Sequence, residues 1–418
     1  MINLENNNHS LNITNILSVI KKYGNPIWIY DSKIIANQIQ KLKKFDVIRF
    51  AQKACSNIHI LQFMKNFRIK LDAVSLGEIE RALTSNFQSN NDEIIFTADI
   101  FDKETLLKIV NYKITVNAGS LDMLKQLGKI SPGHKIWIRI NPKFGHGHNK
   151  KTNTGGENSK HGIWNPMLAI PIIKKYKLQL VGLHMHIGSG VDYQHLQKVC
   201  NAMVKQAKLF NQDIKAISAG GGLSIPYKIT DIPVDTEHYF KLWNSARNKI
   251  QKHFKHPIQL EIEPGRFLVA ESGILVAEVY AIKYVQKKRF TLINVGFNDL
   301  LRPVLYGSYH HISVISKKLK KIQTNNHIKT IIAGPLCESG DIFTQNEHGE
   351  LIERELPEIH IGDYIVFHDT GAYGASMSSN YNTRPLIPEI LFINNTPKVI
   401  RRRQTIEDIL KLEIDISE

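Results

Sequence analysis

The chain has 418 residues, 42% of them hydrophobic, and 54 lysines plus arginines against 38 acidic residues, a formal net charge of +16. That length predicts two domains, or one large barrel with an appendage, and the ordinary apolar content excludes intrinsic disorder. Cys55, Cys200 and Cys337 are an odd number too widely spaced for a disulfide scaffold. No apolar run approaches the roughly 18–20 residues that span a bilayer, and the polar N-terminus lacks the pattern of a secretory signal. The expectation is a soluble, cytoplasmic protein without membrane contact. The positive charge invites a nucleic-acid partner, but lysines outnumber arginines about three to one and scatter along helical segments such as Pro166–Lys177 and Asn201–Leu209. The one dense arginine cluster is Arg401-Arg402-Arg403. This is a solvated surface rather than a binding footprint, so no nucleic acid is expected.

Short apolar or β-branched runs predict strands at Asp46–Ala54, Lys70–Val74, Glu93–Ala98, Ile114–Ala118, Lys135–Asn141, Gln179–Ile187, Ile214–Gly220 and Gln259–Glu263. Amphipathic patterns lie between them, at Gly77–Phe87, Lys103–Val110, Leu121–Leu127, Asp192–Phe210 and Thr236–Phe254. Strands alternating with helices imply right-handed βαβ units, and this many units over about 220 residues is the size of a (β/α)8 barrel. The segment Gly145–Gly162, rich in glycine and asparagine, follows the fifth strand as a long loop, either a lid or a plain surface loop. After about residue 272 the rhythm changes. Ile274–Val285, Phe290–Val295, Thr330–Ala333, Tyr364–Phe367 and Glu389–Ile393 read as strands separated by turns. A closing helix begins at Thr405, with Asp408 as its capping-box partner, and runs through Leu412. The expected organisation is an N-terminal segment, residues 1–30, packing on the β domain; the barrel, residues 31–272; and the C-terminal β domain with its terminal helix, residues 273–418.

Polar residues fall at the predicted strand ends, where barrels of this kind build their sites. Lys53 ends the first strand with apolar residues on both sides. A lysine buried there would lose hydration as an ammonium and become a nucleophile toward aldehydes; alone, it reads as well as a snorkelling side chain. Gly220-Gly221-Gly222 follows the seventh strand and Ser189 the sixth. Glycine lets backbone N–H groups approach an anion, although such a run is also a common tight turn. Glu263-Pro264-Gly265-Arg266 sets a carboxylate and a guanidinium three residues apart. The pair suits a protonated heteroaromatic nitrogen and an anion, or a structural ion pair at the rim. Asp72 and Glu78 flank Ser75; Asp72 either orients a neighbouring base or caps the helix near Gly77. His184 and His186 are spaced for one face of a strand, which a metal could use, yet no partner spacing supports one and a ring over a flat cofactor fits better. His146, His148 and His161 form a weaker cluster in the long loop, and no metal is expected. In the β domain, Gly334–Asp341 gathers Cys337 and Glu338 in a glycine-bounded loop, and His368–Asn382 is another polar loop too long for core. Cys337 is either an inert thiol or a proton donor.

In combination and order, these segments resemble the fold-type III pyridoxal-phosphate enzymes, and within them the diaminopimelate decarboxylases in their enteric-type bacterial form. The resemblance covers nearly the whole chain and rests on Phe-Ala-Gln-Lys53-Ala-Cys-Ser-Asn, Asp72-Ala-Val-Ser-Leu-Gly-Glu, His184-Met-His-Ile-Gly-Ser, Gly220-Gly-Gly-Leu-Ser, Glu263-Pro-Gly-Arg, Cys337-Glu-Ser-Gly-Asp and Gly371-Ala-Tyr-Gly. It implies an alanine-racemase-like architecture, a TIM-like barrel binding pyridoxal 5'-phosphate plus a C-terminal β domain. It implies that Lys53 joins the cofactor covalently, with Asp72 among the cofactor residues, and that His186 stacks on its ring. Ser189, Gly221, Gly222 and Arg266 would surround the phosphate, and Glu263 would pair with the pyridine nitrogen. Cys337 and Glu338 would reach the site from the second subunit of a homodimer, with Cys337 as proton donor. Tyr373 would contact cofactor and substrate; Arg302 and Tyr306 would read the distal carboxylate of the amino-acid substrate, a task shared by Arg266. The implied reaction converts meso-2,6-diaminopimelate to L-lysine and CO2 in bacterial lysine biosynthesis. Ornithine- or arginine-type decarboxylases, a racemase and a non-enzymatic carrier are rivals; Arg302, Cys337-Glu338, Glu263 and the β domain of about 140 residues speak against them.

Overall fold

The computed structural model describes residues 4, 10–89, 91–145, 154–186, 188, 190, 192–317 and 327–414. The chain divides into two compact units, Ala36–Ile225 with Ile232–Leu268, and Met1–Ile35 with Pro226–Asp231 and Val269–Glu418. After a first strand, β1 (Ile27–Asp31), the strands β2 (Val47–Ala51), β3 (Lys70–Ala73), β4 (Ile94–Ala98), β5 (Thr115–Ala118), β6 (Lys135–Arg139), β7 (Gln179–His184), β8 (Ala216–Ser218) and β9 (Gln259–Ile262) form a closed barrel. Every neighbouring pair is parallel, and β9 returns to β2 with Val47 opposite Glu261. These are the eight strands expected from the sequence, with frayed ends trimmed. They were legible because a strand covered on both faces must be apolar at nearly every position; all of β2 is buried.

The helices take their starts from the sequence. Ser75, Asp102, Ser120, Asp192 and Asp235 each accept a backbone N–H from the first turn of the helix that follows. A cap of this kind is worth about 1 kcal/mol, and each one fixes where a loop leaving the carboxyl end of a strand stops. Inside the barrel, Trp137 packs with Ile95 and Ala216. Gly182 makes room for it, since a Cβ there would stand 2.7 Å from the Trp137 ring. Arg49 of β2 is wholly buried. It donates from Nε to Glu261 (2.6 Å) and from Nη2 to Asp92 (2.9 Å), which keeps the buried charge compensated. Removing one partner of such a set costs about 3–5 kcal/mol.

The second unit is built on one sheet. Its further strands are β10 (Gly273–Val285), β11 (Lys288–Ile293), β12 (Ile312–Ile315), β13 (His327–Ala333), β14 (Arg354–Pro357), β15 (Tyr364–Phe367), β16 (Glu389–Ile393) and β17 (Thr396–Arg401). The order is β14-β13-β11-β10-β1-β16-β17, with β15 joining β10 to β12. β1 lies antiparallel to β10 and parallel to β16. The helix Ile13–Tyr23 is capped by Asn12 and buries Ile16, Val19 and Ile20 against a cluster that includes Ile29, Val276 and Phe392. Thr405 and Asp408 form the expected capping box on Ile406–Leu410. Among the described residues, no helix is long and apolar enough to cross a membrane.

Candidate active site

Strand ends of the barrel bring together most of the expected residues. β2 stops at Ala51 and the chain turns through a 3-10 turn, Gln52–Ala54. Gln52 and Ala54 are buried, but the side chain of Lys53 between them is exposed. Of the two environments open for Lys53 from the sequence, the structure has the exposed one: in a tight turn, sequence neighbours point away from one another and do not enclose the middle side chain. The charge of Lys53 acts instead on Asp72, Glu78 and His186. The helix Leu76–Thr84 is capped by Ser75, so the capping role considered for Asp72 falls to its neighbour.

Glu263 follows β9 and is buried. Its Oε2 lies 2.7 Å from His184 Nε2, and its Oε1 accepts from Ser218 Oγ at 3.0 Å. Burial alone would raise its pKa, but the His184 imidazole, the hydrogen bonds from His184 and Ser218 and the charge of Arg49 outweigh burial and hold it below the ordinary value. Glu263 is therefore anionic. Asp72 goes the other way: burial and then the Glu263 charge raise it well above the usual carboxylate range. Its Oδ1 is buried without a hydrogen-bond partner. Neighbouring carboxyls with pKa values pushed apart are the arrangement in which one stays charged while the other holds a proton.

His184 closes β7, and His186 lies two residues beyond it, outside the strand. Burial, helped by the cations Arg139 and Lys53, keeps His186 well below its ordinary pKa, and its Nδ1 accepts the Gly221 N–H at 3.1 Å. It is a flat, neutral ring. Beside it, Gly188, Gly190, Gly221 and Gly222 line a recess with Asp192 and His195. Gly222 has φ +105°, and a Cβ on it would stand 2.5 Å from the Gly188 carbonyl oxygen, so no side chain fits this cradle. Arg266, half-buried, opens the short helix Arg266–Val269. Ser189, His146 and His148 lie outside the described residues, as does part of the loop 145–162. His161 pairs with Asp99, Nδ1 to Oδ2, at 2.6 Å. Among the described residues, no group of His, Cys, Asp or Glu is arranged to hold a metal ion.

The remaining expected residues belong to the sheet unit. Arg302 is buried at the start of the short helix Arg302–Tyr306, which Tyr306 ends. Cys337 and Glu338 are exposed. Their loop is held by Asp341, whose carboxylate accepts from Leu336 N and Phe297 N, both at 2.8 Å. Glu338 accepts from the Tyr381 hydroxyl. Tyr373 is half-buried with φ +58°, the left-handed region. Sequence reasoning had no role for Ser218 or Arg139, and placed Asp341 only as a carboxylate of the Gly334–Asp341 loop, not as the group that holds it. Ser218 was detectable as the last residue of a strand, the position where this fold collects polar side chains.

An anionic buried carboxylate, a neutral flat ring, a glycine cradle for an anion and a lysine at a strand end are the set that a phosphorylated heteroaromatic aldehyde requires. A barrel carrying them defines a pyridoxal-type site. The family model described as pyridoxal-dependent decarboxylase, pyridoxal binding domain, matches residues 31–270. The chain is 66% identical to the diaminopimelate decarboxylase of Buchnera aphidicola subsp. Acyrthosiphon pisum (strain APS), over 98% of this chain and 99% of that one. It is 58% identical to that of Escherichia coli (strain K12), over 97% of each. A crystal structure of diaminopimelate decarboxylase matches with a TM-score of 0.96 and 56% identity, covering 99% of both chains. The chain belongs to the diaminopimelate decarboxylase family of pyridoxal-dependent decarboxylases.

Proposed function

We propose that this protein removes CO2 from meso-2,6-diaminopimelate and releases L-lysine, the closing step of bacterial lysine biosynthesis, in the cytoplasm, as a homodimer with shared active sites. The observation that carries the chemistry is the buried, anionic Glu263. Pyridoxal phosphate, when bound, supplies an electron-poor ring that takes up the electron pair left as CO2 departs. Glu263 would favour a proton on the pyridine nitrogen and so keep that ring electron-poor. Lys53 would hold the cofactor covalently and yield its place to the substrate amine, while His186 stacks on the ring. Ser189, Gly221, Gly222 and Arg266 would bind the phosphate, with Asp72 nearby. Arg302 and Tyr306, with Arg266, would fix the distal carboxylate, and Tyr373 would contact cofactor and substrate. Cys337, delivered with Glu338 by the second subunit, would donate the thiol proton to the carbon that lost CO2, and the thiolate would regain its proton from water.

The test gives purified protein with added pyridoxal phosphate three substrates separately: meso-diaminopimelate, ornithine and arginine. CO2 and L-lysine from diaminopimelate alone are expected. CO2 from ornithine or arginine instead would overturn the roles of Arg302 and Glu338, and no CO2 from any would overturn the decarboxylase itself.

A further inference from the structure

Two hydrogen bonds leave one atom of Arg302: Nη1 donates to the Tyr227 hydroxyl at 3.1 Å and lies 3.3 Å from His310 Nε2. The guanidinium carbon stands 5.3 Å from the centroid of the Tyr227 ring, and that ring meets His310 edge-on at 5.5 Å. His310 is itself anchored, with Nδ1 2.8 Å from the carbonyl oxygen of His368. A carbonyl can only accept, so the proton of the neutral ring sits on Nδ1 and the Nε2 lone pair faces Arg302. Tyr227 belongs to the segment Pro226–Asp231, which clusters with the sheet unit. That segment is pinned by the Asp231 carboxylate, which accepts from Tyr227 N at 3.0 Å and Lys228 N at 2.9 Å.

Both acceptors on Nη1 are neutral, so they orient the guanidinium without cancelling its charge. A guanidinium is a planar fork whose value to a carboxylate lies in bidentate geometry; fixing the two Nη1 hydrogens fixes the plane and the direction of its other edge. We propose that Tyr227 and His310 are positioning residues that set specificity for a substrate with a distal carboxylate, by aiming Arg302. This rests on the reading of Arg302 given above.

The product separates this role from a general structural one. Loss of CO2 from one centre of diaminopimelate leaves L-lysine, which keeps the distal carboxylate, whereas cadaverine lacks it. In the holoenzyme, Tyr227→Phe and His310→Leu should each raise KM for meso-diaminopimelate about tenfold and weaken L-lysine binding, read by calorimetry, by a similar factor. Cadaverine affinity should change less than about twofold and kcat less than about threefold. His310→Gln, which can present an amide oxygen to Nη1, should recover most of the loss. Equal losses for L-lysine and cadaverine, or an unchanged KM, overturn the proposal. Should His310→Leu fail to fold, the isosteric Tyr227→Phe decides alone. Arg302→Met is the control. If it leaves KM and L-lysine affinity unchanged, the reading of Arg302 itself falls; if it raises KM and weakens L-lysine binding while Tyr227→Phe and His310→Leu do neither, only this proposal falls.

Discussion

Glu263 is held between opposed tendencies: burial favours its neutral acid, while His184, Ser218 and Arg49 favour its anion and win. Its charge is also one reason why Asp72 resists ionising. Replacing Glu263 with glutamine keeps the side-chain length and an oxygen for Ser218 but removes the charge. On the role proposed for it, Glu263→Gln should retain the bound cofactor's visible absorbance while kcat falls by about a hundredfold or more, the scale of losing one aligned electrostatic partner. Stopped-flow or steady-state kinetics on the reconstituted variant check this, and an unchanged kcat would remove the electron-sink argument. The residue types of this site were legible in the sequence because Lys53, His186 and Glu263 stand at strand ends. Their environments were not. That Lys53 is exposed, that His184 rather than Arg266 meets Glu263, and that Ser75 rather than Asp72 caps its helix all depend on where side chains point after the chain turns.

At the level of elements, the barrel strands are legible as short buried runs, and the helices expected from Asp192 and from Thr236 start there, capped by Asp192 and Asp235. The β1 strand is not among the expected ones although all five of its residues are buried, because its partners, β10 and β16, lie more than two hundred residues away in sequence. β14 and β17 were missed for another reason: they are edge strands of mixed exposure, carrying arginine, lysine and proline, the residues that blunt an edge and also erase its alternation. The turn after β11 shows what such connections can store. There Asp299 accepts Gly296 N through Oδ2 at 3.3 Å, its Oδ1 is buried without a partner, and burial raises its pKa to about 7. In the unfolded chain the group titrates near 3.9. Below about pH 4 both states are protonated and the residue is neutral to stability. Between about 4 and 7 the unfolded chain releases its proton first, so stability falls as pH rises, and above about 7 the deficit levels off near 4 kcal/mol. Asp299→Asn should therefore raise the melting temperature at pH 8 and do little at pH 4. Thermal unfolding at both values checks it, and an equal shift at both would show that ionisation is not the cause.

For the molecule as a whole, the residues proposed for one reaction are divided between two compact units: Lys53, His186 and Glu263 in the barrel, Arg302, Cys337 and Tyr373 in the sheet unit. The proposed homodimer draws Cys337 and Glu338 of each site from the other subunit, and no single sequence displays such an exchange, since the pairing lies in the assembly. Mixing two inactive variants tests it directly. On the proposed roles, Lys53→Ala should inactivate every site built on its own barrel, and Cys337→Ala should remove the thiol that its sheet unit would deliver. If the thiol crosses between subunits, a heterodimer of the two contains one site with both lesions and one with neither. Random exchange makes about half the dimers mixed, so the activity recovered should approach one quarter of the wild-type value. If each subunit supplies its own thiol, every site carries one lesion and mixing recovers nothing. CO2 release measured as the mixture equilibrates distinguishes the two, because recovery must appear with the kinetics of subunit exchange and saturate well below full activity.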